Sequence, residues 1–185
     1  VKGYTSLAIT DHASASNIEE LVAKVTRDCD LAREEWGVCV MPGVELTHCP
    51  PSRIANLAAR GKAAGAKIVI IHGETLVEPV PPGTNRASVE CPDVDVLGHP
   101  GLLTLEEAEL AAQNNVFLEI TSRRGHCLGN GNTVQVGRAA GAKFLVNSDT
   151  HSPSDLHTES FARTIALGAG LTAQEADTAL YENPK

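Results

Sequence analysis

Histidine and acidic residues follow apolar segments at widely separated places along the chain. His72 comes directly after IVII, and Asp149 and His151 follow FLVNS. Imidazole nitrogens and carboxylate oxygens are the ligands with which proteins hold Zn²⁺, Mn²⁺ and Fe²⁺. A cluster of such ions lowers the pKa of a bound water towards neutrality, which produces a hydroxide able to attack phosphorus. The spacing therefore predicts a divalent metal site, provided that the fold brings these segments together.

The candidate metal ligands share this position after an apolar run, and they are His12, Glu45, His72, His99, Asp149 and His151. Each has a simpler interpretation when it is taken alone, since an Asp-His pair or a Glu after a strand often caps a helix. Asp149 and His151 form the strongest local signal, because side chains at i and i+2 of an extended segment point to the same side. Taken together, these positions favour one shared metal site.

Short apolar runs alternate with helical patterns throughout the chain, and this alternation must position the candidate ligands. The predicted strands are rich in Val, Ile and Leu without polar alternation, as strands buried on both faces are; they cover residues 5–10, 38–41, 67–71, 94–97, 116–120 and 143–147. The predicted helices cover residues 17–35, 52–64, 104–114, 131–140, 153–168 and 172–181. Repeated βα units predict a barrel or a doubly wound sheet, in a single domain over residues 1–185.

A polar loop, TSRRGHCLGNGNT over residues 121–133, joins a predicted strand to a predicted helix. Arg123 and Arg124 could grip a phosphate there through paired hydrogen bonds, with His126 beside them. The alternative is an ordinary solvated loop. His157 falls in a predicted helix and is interpreted as a surface residue. No nucleotide-binding glycine motif and no G-x-S-x-G motif occurs in the chain, so nucleotide binding and serine hydrolysis have no support.

Composition limits the binding partners and the cellular compartment that we predict for the chain. The net charge is −8 and no block of Lys or Arg occurs, so we predict no nucleic-acid partner, since phosphate backbones require clustered cations. The 5 cysteines show no C-x-x-C spacing, which favours a reducing, cytoplasmic location over a disulfide framework. The chain has no stretch of about 18 apolar residues, so we predict no membrane span.

Five segments resemble, in order and spacing, the PHP family, named for polymerase and histidinol phosphatase; they are AITDH (8–12), GVELTH (43–48), IVIIHGE (68–74), VLGHPG (96–101) and NSDTH (147–151). The stretch LEITSRRGHCLGNGN (118–132) is similar to a small stand-alone, histidinol-phosphatase-like subgroup. The resemblance implies a distorted (β/α)7 TIM-like barrel with a metal cluster at the carboxyl ends of the strands. It places the family's metal ligands on the six candidates above. The family's opening H-x-H strand is not found, so we expect the first βα unit to be missing and the domain to be N-terminally incomplete.

The predicted function is that of a metal-dependent phosphoesterase, which would use two or three Zn, Mn or Fe ions to hydrolyse a small phosphate monoester. The predicted catalytic residues are His99, Asp149 and Arg123, and the predicted substrate-binding residues are Arg123, Arg124 and His126. A small phosphorylated substrate and possible homo-oligomers are the expected partners. The alternative is a non-catalytic PHP-fold module with an incomplete metal site. An amidohydrolase-type barrel is a third possibility, but Lys67 and Lys143 begin predicted strands rather than end them.

Overall fold

The computed structural model describes residues 2–184, and its core is a curled sheet in which every paired strand runs parallel to its neighbour. The strands are β1 (Ser6–Ile9), β2 (His12–Ala13), β3 (Cys39–Leu46), β4 (Ile68–His72), β5 (Val96–Gly98), β6 (Phe117–Thr121) and β7 (Phe144–Asn147). Their order is β1-β3-β4-β5-β6-β7, and β2 pairs with the second half of β3. No strand pairing joins β1 to β7 within the described residues, so the sheet forms a half-barrel.

Helices alternate with the strands along the chain. They are α1 (Ile18–Trp36), α2 (Ile54–Ala63), α3 (Thr84–Val89), α4 (Leu105–Asn114), α5 (Asn130–Ala140), α6 (Glu159–Gly168) and α7 (Ala173–Asp177), and a π-helical turn (Thr178–Glu182) follows. A capping box begins α4: the Thr104 side chain accepts from the Glu107 backbone N–H, and the Glu107 carboxylate accepts from the Thr104 backbone N–H. The α/β fold of TIM-like type is therefore confirmed. No described helix is both long and apolar enough to cross a membrane.

The core lies between the sheet and the helices, where aliphatic strand residues such as Val69, Leu97 and Leu118 are fully buried. Close packing there depends on Gly137 in α5. A Cβ atom at this position would lie 2.7 Å from the Phe144 ring and 2.9 Å from a Leu118 methyl. The absence of a side chain at residue 137 thus lets α5 approach the sheet at the amino ends of β6 and β7.

Strand β3 is longer than the predicted strand 38–41. The predicted strand stops before Pro42-Gly43, but β3 continues through this pair to Leu46. Pairing with β4 begins at Gly43, which lies opposite Ile68, and a Cβ at residue 43 would be 2.8 Å from the Ile68 carbonyl oxygen. The glycine therefore permits a close strand contact instead of ending the strand, and it carries Glu45 to the same edge as the other candidate ligands.

Other differences arise in loops. The Pro-rich segment 75–86 contains the first residues of α3. This helix start is held by the Glu74 carboxylate, which accepts from the backbone N–H groups of Gly83 and Asn85, both at 3.0 Å. The predicted helix 153–168 begins only at Glu159, after a 3-10 turn.

The interpretation of His157 as a surface residue is wrong. Because the helix begins at Glu159, His157 lies in the connecting segment, where it is buried and hydrogen-bonded to the Ser122 hydroxyl.

Candidate functional site

The predicted ligands meet at the carboxyl edge of the sheet. His12 lies opposite Glu45 in the β2–β3 pairing, and His72 ends the next strand. The two oxygens of Glu45 face two of the histidines: Oε1 is 3.1 Å from Nδ1 of His72, and Oε2 is 3.8 Å from Nε2 of His12. Parallel strands place their carboxyl ends on one side, which is why residues distant in sequence converge here.

His99 is held by a residue that the sequence interpretation missed. Glu119 of β6 is buried, and its Oε2 accepts from the His99 backbone N–H at 2.8 Å and contacts His99 Nδ1 at 2.9 Å. Its Oε1 accepts from Asn147 Nδ2 at 3.0 Å. Burial alone would lower the pKa of His99, but the hydrogen bond and charge of Glu119 outweigh it and raise the pKa to about 9. His99 is therefore positively charged at neutral pH when no metal is bound, and its Nε2 faces His72 Nδ1 at 3.0 Å.

Asp149 and His151 complete the group on the β7 side. The rings of His151 and His12 lie 5.6 Å apart, and His151 Nδ1 is 3.3 Å from an Asp149 carboxylate oxygen. Burial raises the pKa of Asp149, and the negative charges of Glu119 and Glu45 raise it further. A cation would relieve this repulsion between carboxylates.

Backbone strain is concentrated at this edge. His48, His99 and Asp149 have φ values of 52°, 26° and 49°, in a region that side chains other than glycine adopt uncommonly. Such conformations cost on the order of 1–3 kcal/mol and are typical of functional sites. All three residues are in loops that follow strands β3, β5 and β7. The strained backbone therefore gives their side chains a direction that a continuing strand would not give them.

A second group lies beside the first, around a glutamate that was not predicted. Glu78 comes from the Pro-rich loop, and its oxygens are 3.2 Å from His72 Nε2, 3.4 Å from His48 Nε2 and 3.4 Å from His126 Nε2. His126, predicted to bind substrate, thus belongs to the histidine cluster. Its Nδ1 is 2.7 Å from the Thr75 hydroxyl. Burial and the positive charge of His99 lower the pKa of His126 to about 4, so this ring is neutral at pH 7.

The two predicted phosphate-binding arginines lie in a neighbouring cavity of about 370 Å³, whose lining does not include His126. The polar and aromatic residues around Arg123 and Arg124 are Lys2, Ser122, Ser148, Ser154, Asp155, Thr158 and Phe161. Asp155 links the cavity to the cluster, because its Oδ2 accepts from the His151 backbone N–H at 3.0 Å and lies 3.4 Å from Arg123 Nη1. Arg123 therefore adjoins the histidine cluster.

The donor set fits a divalent cation. Two groups, His12–Glu45–His72 and His48–His72–Glu78, each bring a carboxylate and two imidazoles within reach of one ion. His72 is 3% exposed, and its Nε2 is a buried nitrogen without a hydrogen-bond partner. The structure thus brings all the predicted ligands together, while metal binding by them stays a prediction.

The sequence of the chain is similar to those of several known proteins. No protein-family model matches the chain. The uncharacterized protein MJ1295 of Methanocaldococcus jannaschii is 46% identical over 183 residues, which cover 98% of this chain and 84% of that protein. Ribonuclease P protein component 3 of Methanosarcina mazei is 27% identical over 198 residues, covering 99% of this chain and 76% of the relative.

Two solved structures show the same fold. A chain in the cryo-EM structure of archaeal ribonuclease P with mature tRNA has a TM-score of 0.73 and 16% identity, covering 96% of this chain and 78% of that one. Histidinol phosphate phosphatase of Lactococcus lactis, crystallised with zinc, L-histidinol and phosphate, has a TM-score of 0.57 and 12% identity, covering 92% of this chain and 84% of that one. At 12% identity the second likeness shows a shared fold alone, and the stand-alone subgroup stays a prediction.

These findings correct the predicted function and partners. The prediction of a phosphoesterase acting on a small phosphate monoester is wrong, because the relatives with a stated function are ribonuclease P protein components. The prediction of a small phosphorylated substrate and no nucleic-acid partner is wrong for the same reason. Net charge is a property of the whole surface, and it does not report local contacts or assembly through other proteins. The alternative, a non-catalytic module with this fold, agrees better with the relatives.

Proposed function

We propose, from the premise that this chain belongs to the same family as the uncharacterized protein MJ1295 of Methanocaldococcus jannaschii, that it is a protein subunit of an RNA-processing complex of the ribonuclease P kind. The observation that carries the proposal is the similarity to ribonuclease P protein component 3 of Methanosarcina mazei, which extends over 99% of the chain. A similarity of that extent involves the whole fold and not only the histidine motifs. The role is then one of assembly and RNA contact, not of small-molecule hydrolysis.

Contact with RNA would be local, because a net charge of −8 opposes a wide phosphate-binding surface. The cavity around Arg123 and Arg124 supports such a contact. Lys2 adds a third cation, and Phe161 lines the same cavity and is 48% exposed. Guanidinium groups bind phosphate oxygens in pairs, and an exposed aromatic ring stacks on an unpaired base. The cavity therefore has the chemistry for one or two nucleotides of an RNA strand.

Contacts with protein partners have support from exposed apolar side chains. Leu102 and Leu128 are each 68% exposed. Their loops touch, since a Cβ at Gly129 would lie 2.7 Å from the Gly101 carbonyl oxygen. Trp36, at the end of α1, is 74% exposed. Large apolar side chains of this kind are typical anchors of protein interfaces.

We also propose that the cluster of His12, Glu45 and His72, with Asp149 and His151 nearby, holds a divalent cation. Imidazole and carboxylate donors suit Zn²⁺, Mn²⁺ and Fe²⁺. A bound cation would supply positive charge between the carboxylates. The chain's own contribution is to orient the donors: Glu119 holds His99, and β2 and β3 place His12 opposite Glu45.

Reconstitution tests the proposed function. An archaeal ribonuclease P is assembled from its RNA and protein components without component 3, and this chain is added. We expect the chain to migrate with the complex and to raise the rate of precursor tRNA cleavage. The Methanosarcina mazei component 3 serves as the positive control. If that control restores cleavage while this chain neither binds the complex nor changes the rate, the proposal is refuted.

A further inference from the structure

We propose a zinc site formed by His48, His72 and Glu78 and completed by His126 on the other side of the Glu78 carboxylate; it shares only His72 with the ligands predicted from sequence. Its members come from different strand ends. His48 follows β3, His72 ends β4, and His126 opens the 3-10 turn after β6. Glu78 belongs to the loop between β4 and α3, so the site would join three loops at the carboxyl edge of the sheet.

The spacing of the donor atoms matches a tetrahedral zinc centre. Zinc–ligand bonds of about 2.0–2.1 Å in a tetrahedron place neighbouring ligand atoms about 3.3 Å apart. The Glu78 oxygens are 3.2 Å from His72 Nε2, 3.4 Å from His48 Nε2 and 3.4 Å from His126 Nε2. His48 and His72 thus stand from one carboxylate oxygen, Oε2, at the distance between two ligands of one zinc ion, and His126 faces the other oxygen, Oε1, of the same carboxylate.

His72 provides an independent observation that points to a ligand. Its Nδ1 is already contacted by Glu45 Oε1 at 3.1 Å and by His99 Nε2 at 3.0 Å, which leaves Nε2 as the ring nitrogen available to a further ligand. That Nε2 is buried and makes no hydrogen bond, although Glu78 Oε2 is only 3.2 Å away. A cation bound between Nε2 and the Glu78 oxygen would give this buried nitrogen the partner that it otherwise lacks.

His126 is prepared for the same role. The Thr75 hydroxyl lies 2.7 Å from its Nδ1, and both side chains are buried. This contact orients the ring so that Nε2 faces Glu78, as outer-shell partners of metal-bound histidines do.

The loop that carries Glu78 is open to solvent yet anchored. The Glu78 side chain is 40% exposed, so an ion can enter from outside. Next to it, Val77 packs on the turn before His126, because a Cβ at Gly125 would lie 3.2 Å from its methyl groups. Zinc bound here would therefore hold the 75–83 loop against the β6 end of the sheet and stabilise the folded chain.

The test compares zinc content and cobalt spectra of the whole chain and its variants, without any RNA, so its outcome is independent of the proposed function. Glu78→Ala removes the exposed carboxylate. Glu109→Ala, in an exposed position of α4, is the matched control, and Asp149→Asn reports on the other candidate group. We expect Glu78→Ala to lose one zinc per chain or to bind it at least about tenfold more weakly, and to lose the visible absorption of tetrahedral Co²⁺. The other two variants keep that absorption.

Two results would overturn the proposal. The first is a Glu78→Ala protein with the zinc content, affinity and cobalt spectrum of the unmodified chain. The second is an equal loss of the cobalt spectrum in Glu78→Ala and Asp149→Asn, which would mean one centre around His72 instead of a site with its own ligands. Far-ultraviolet circular dichroism confirms that each variant is folded, and His126→Gln provides a second variant of the same site.

Discussion

Replacing Glu119 with glutamine would test whether the buried pair with His99 organises the histidine cluster. The carboxylate receives both the backbone N–H and the Nδ1–H of His99, and it also accepts from Asn147. Glutamine has nearly the same shape, so the substitution removes the charge and leaves no cavity. The change in stability then reports the charge interaction.

The magnitude follows from the pKa of His99, which rises from an ordinary 6.5 to about 9 in the folded chain. Since a tenfold change in proton affinity is worth about 1.4 kcal/mol, this rise corresponds to about 3 kcal/mol of stability. A raised pKa stabilises the folded state fully below pH 6.5, and the contribution is lost as the pH rises through 9. The lowered pKa of Glu119 expresses the same interaction from the other partner, so it is not added.

The assay is urea denaturation of both proteins in EDTA, at pH 6, 8 and 10, so that no metal competes for His99. We expect Glu119→Gln to be less stable by about 3 kcal/mol at pH 6 and by about 1 kcal/mol or less at pH 10. Glu109→Gln, an exposed substitution with the same charge change, controls for net charge. A difference that does not depend on pH, or one below about 1 kcal/mol at pH 6, would refute the argument.

Three further outcomes follow from the same contacts. Gly137→Ala should cost about 1–3 kcal/mol in urea denaturation, because α5 lies against the sheet, whereas Gly131→Ala in the same helix meets no atom within 4 Å and should be neutral or slightly stabilising. Arg124→Ala should weaken binding to a single-stranded RNA and lower the salt dependence of that binding. Lys143→Ala, at the opposite edge of the sheet, should change neither. Equal effects of the two substitutions would contradict the proposal that RNA binds in the cavity around Arg124. Cys39 should react with a thiol reagent in the native protein, while the three buried cysteines react only after unfolding; rapid labelling of all of them would contradict the packing.

The parallel α/β fold could be predicted from sequence because it depends on local and repetitive properties. Short aliphatic runs alternate with helical patterns, and this alternation leaves few ways to bury both faces of the strands. The convergence of residues such as His12, Glu45 and His72 follows directly, since all the strands point their carboxyl ends to one edge. The cap of α4 was also predictable, because its residues lie within one turn.

Glu119 and Glu78 could not be assigned in the same way. Glu119 lies inside a buried strand, and an acidic residue in an apolar run is a signal, but its partner His99 is 20 residues away and is chosen by strand pairing. Glu78 lies in a Pro-rich loop without regular structure. Its position depends on the Glu74 contacts that begin α3 and on the packing of Val77.

The sequence by itself determined that the strands run parallel, and therefore that their carboxyl ends share the edge that carries the chemistry. Only the tertiary structure decided which side chains share that edge as neighbours. Loop paths are set by contacts between residues far apart in the chain, as the approach of Glu78 to His48 and His126 shows. Hydrophobic periodicity reports which face of a segment is buried. It contains no information about which polar group from a distant segment will lie opposite that segment.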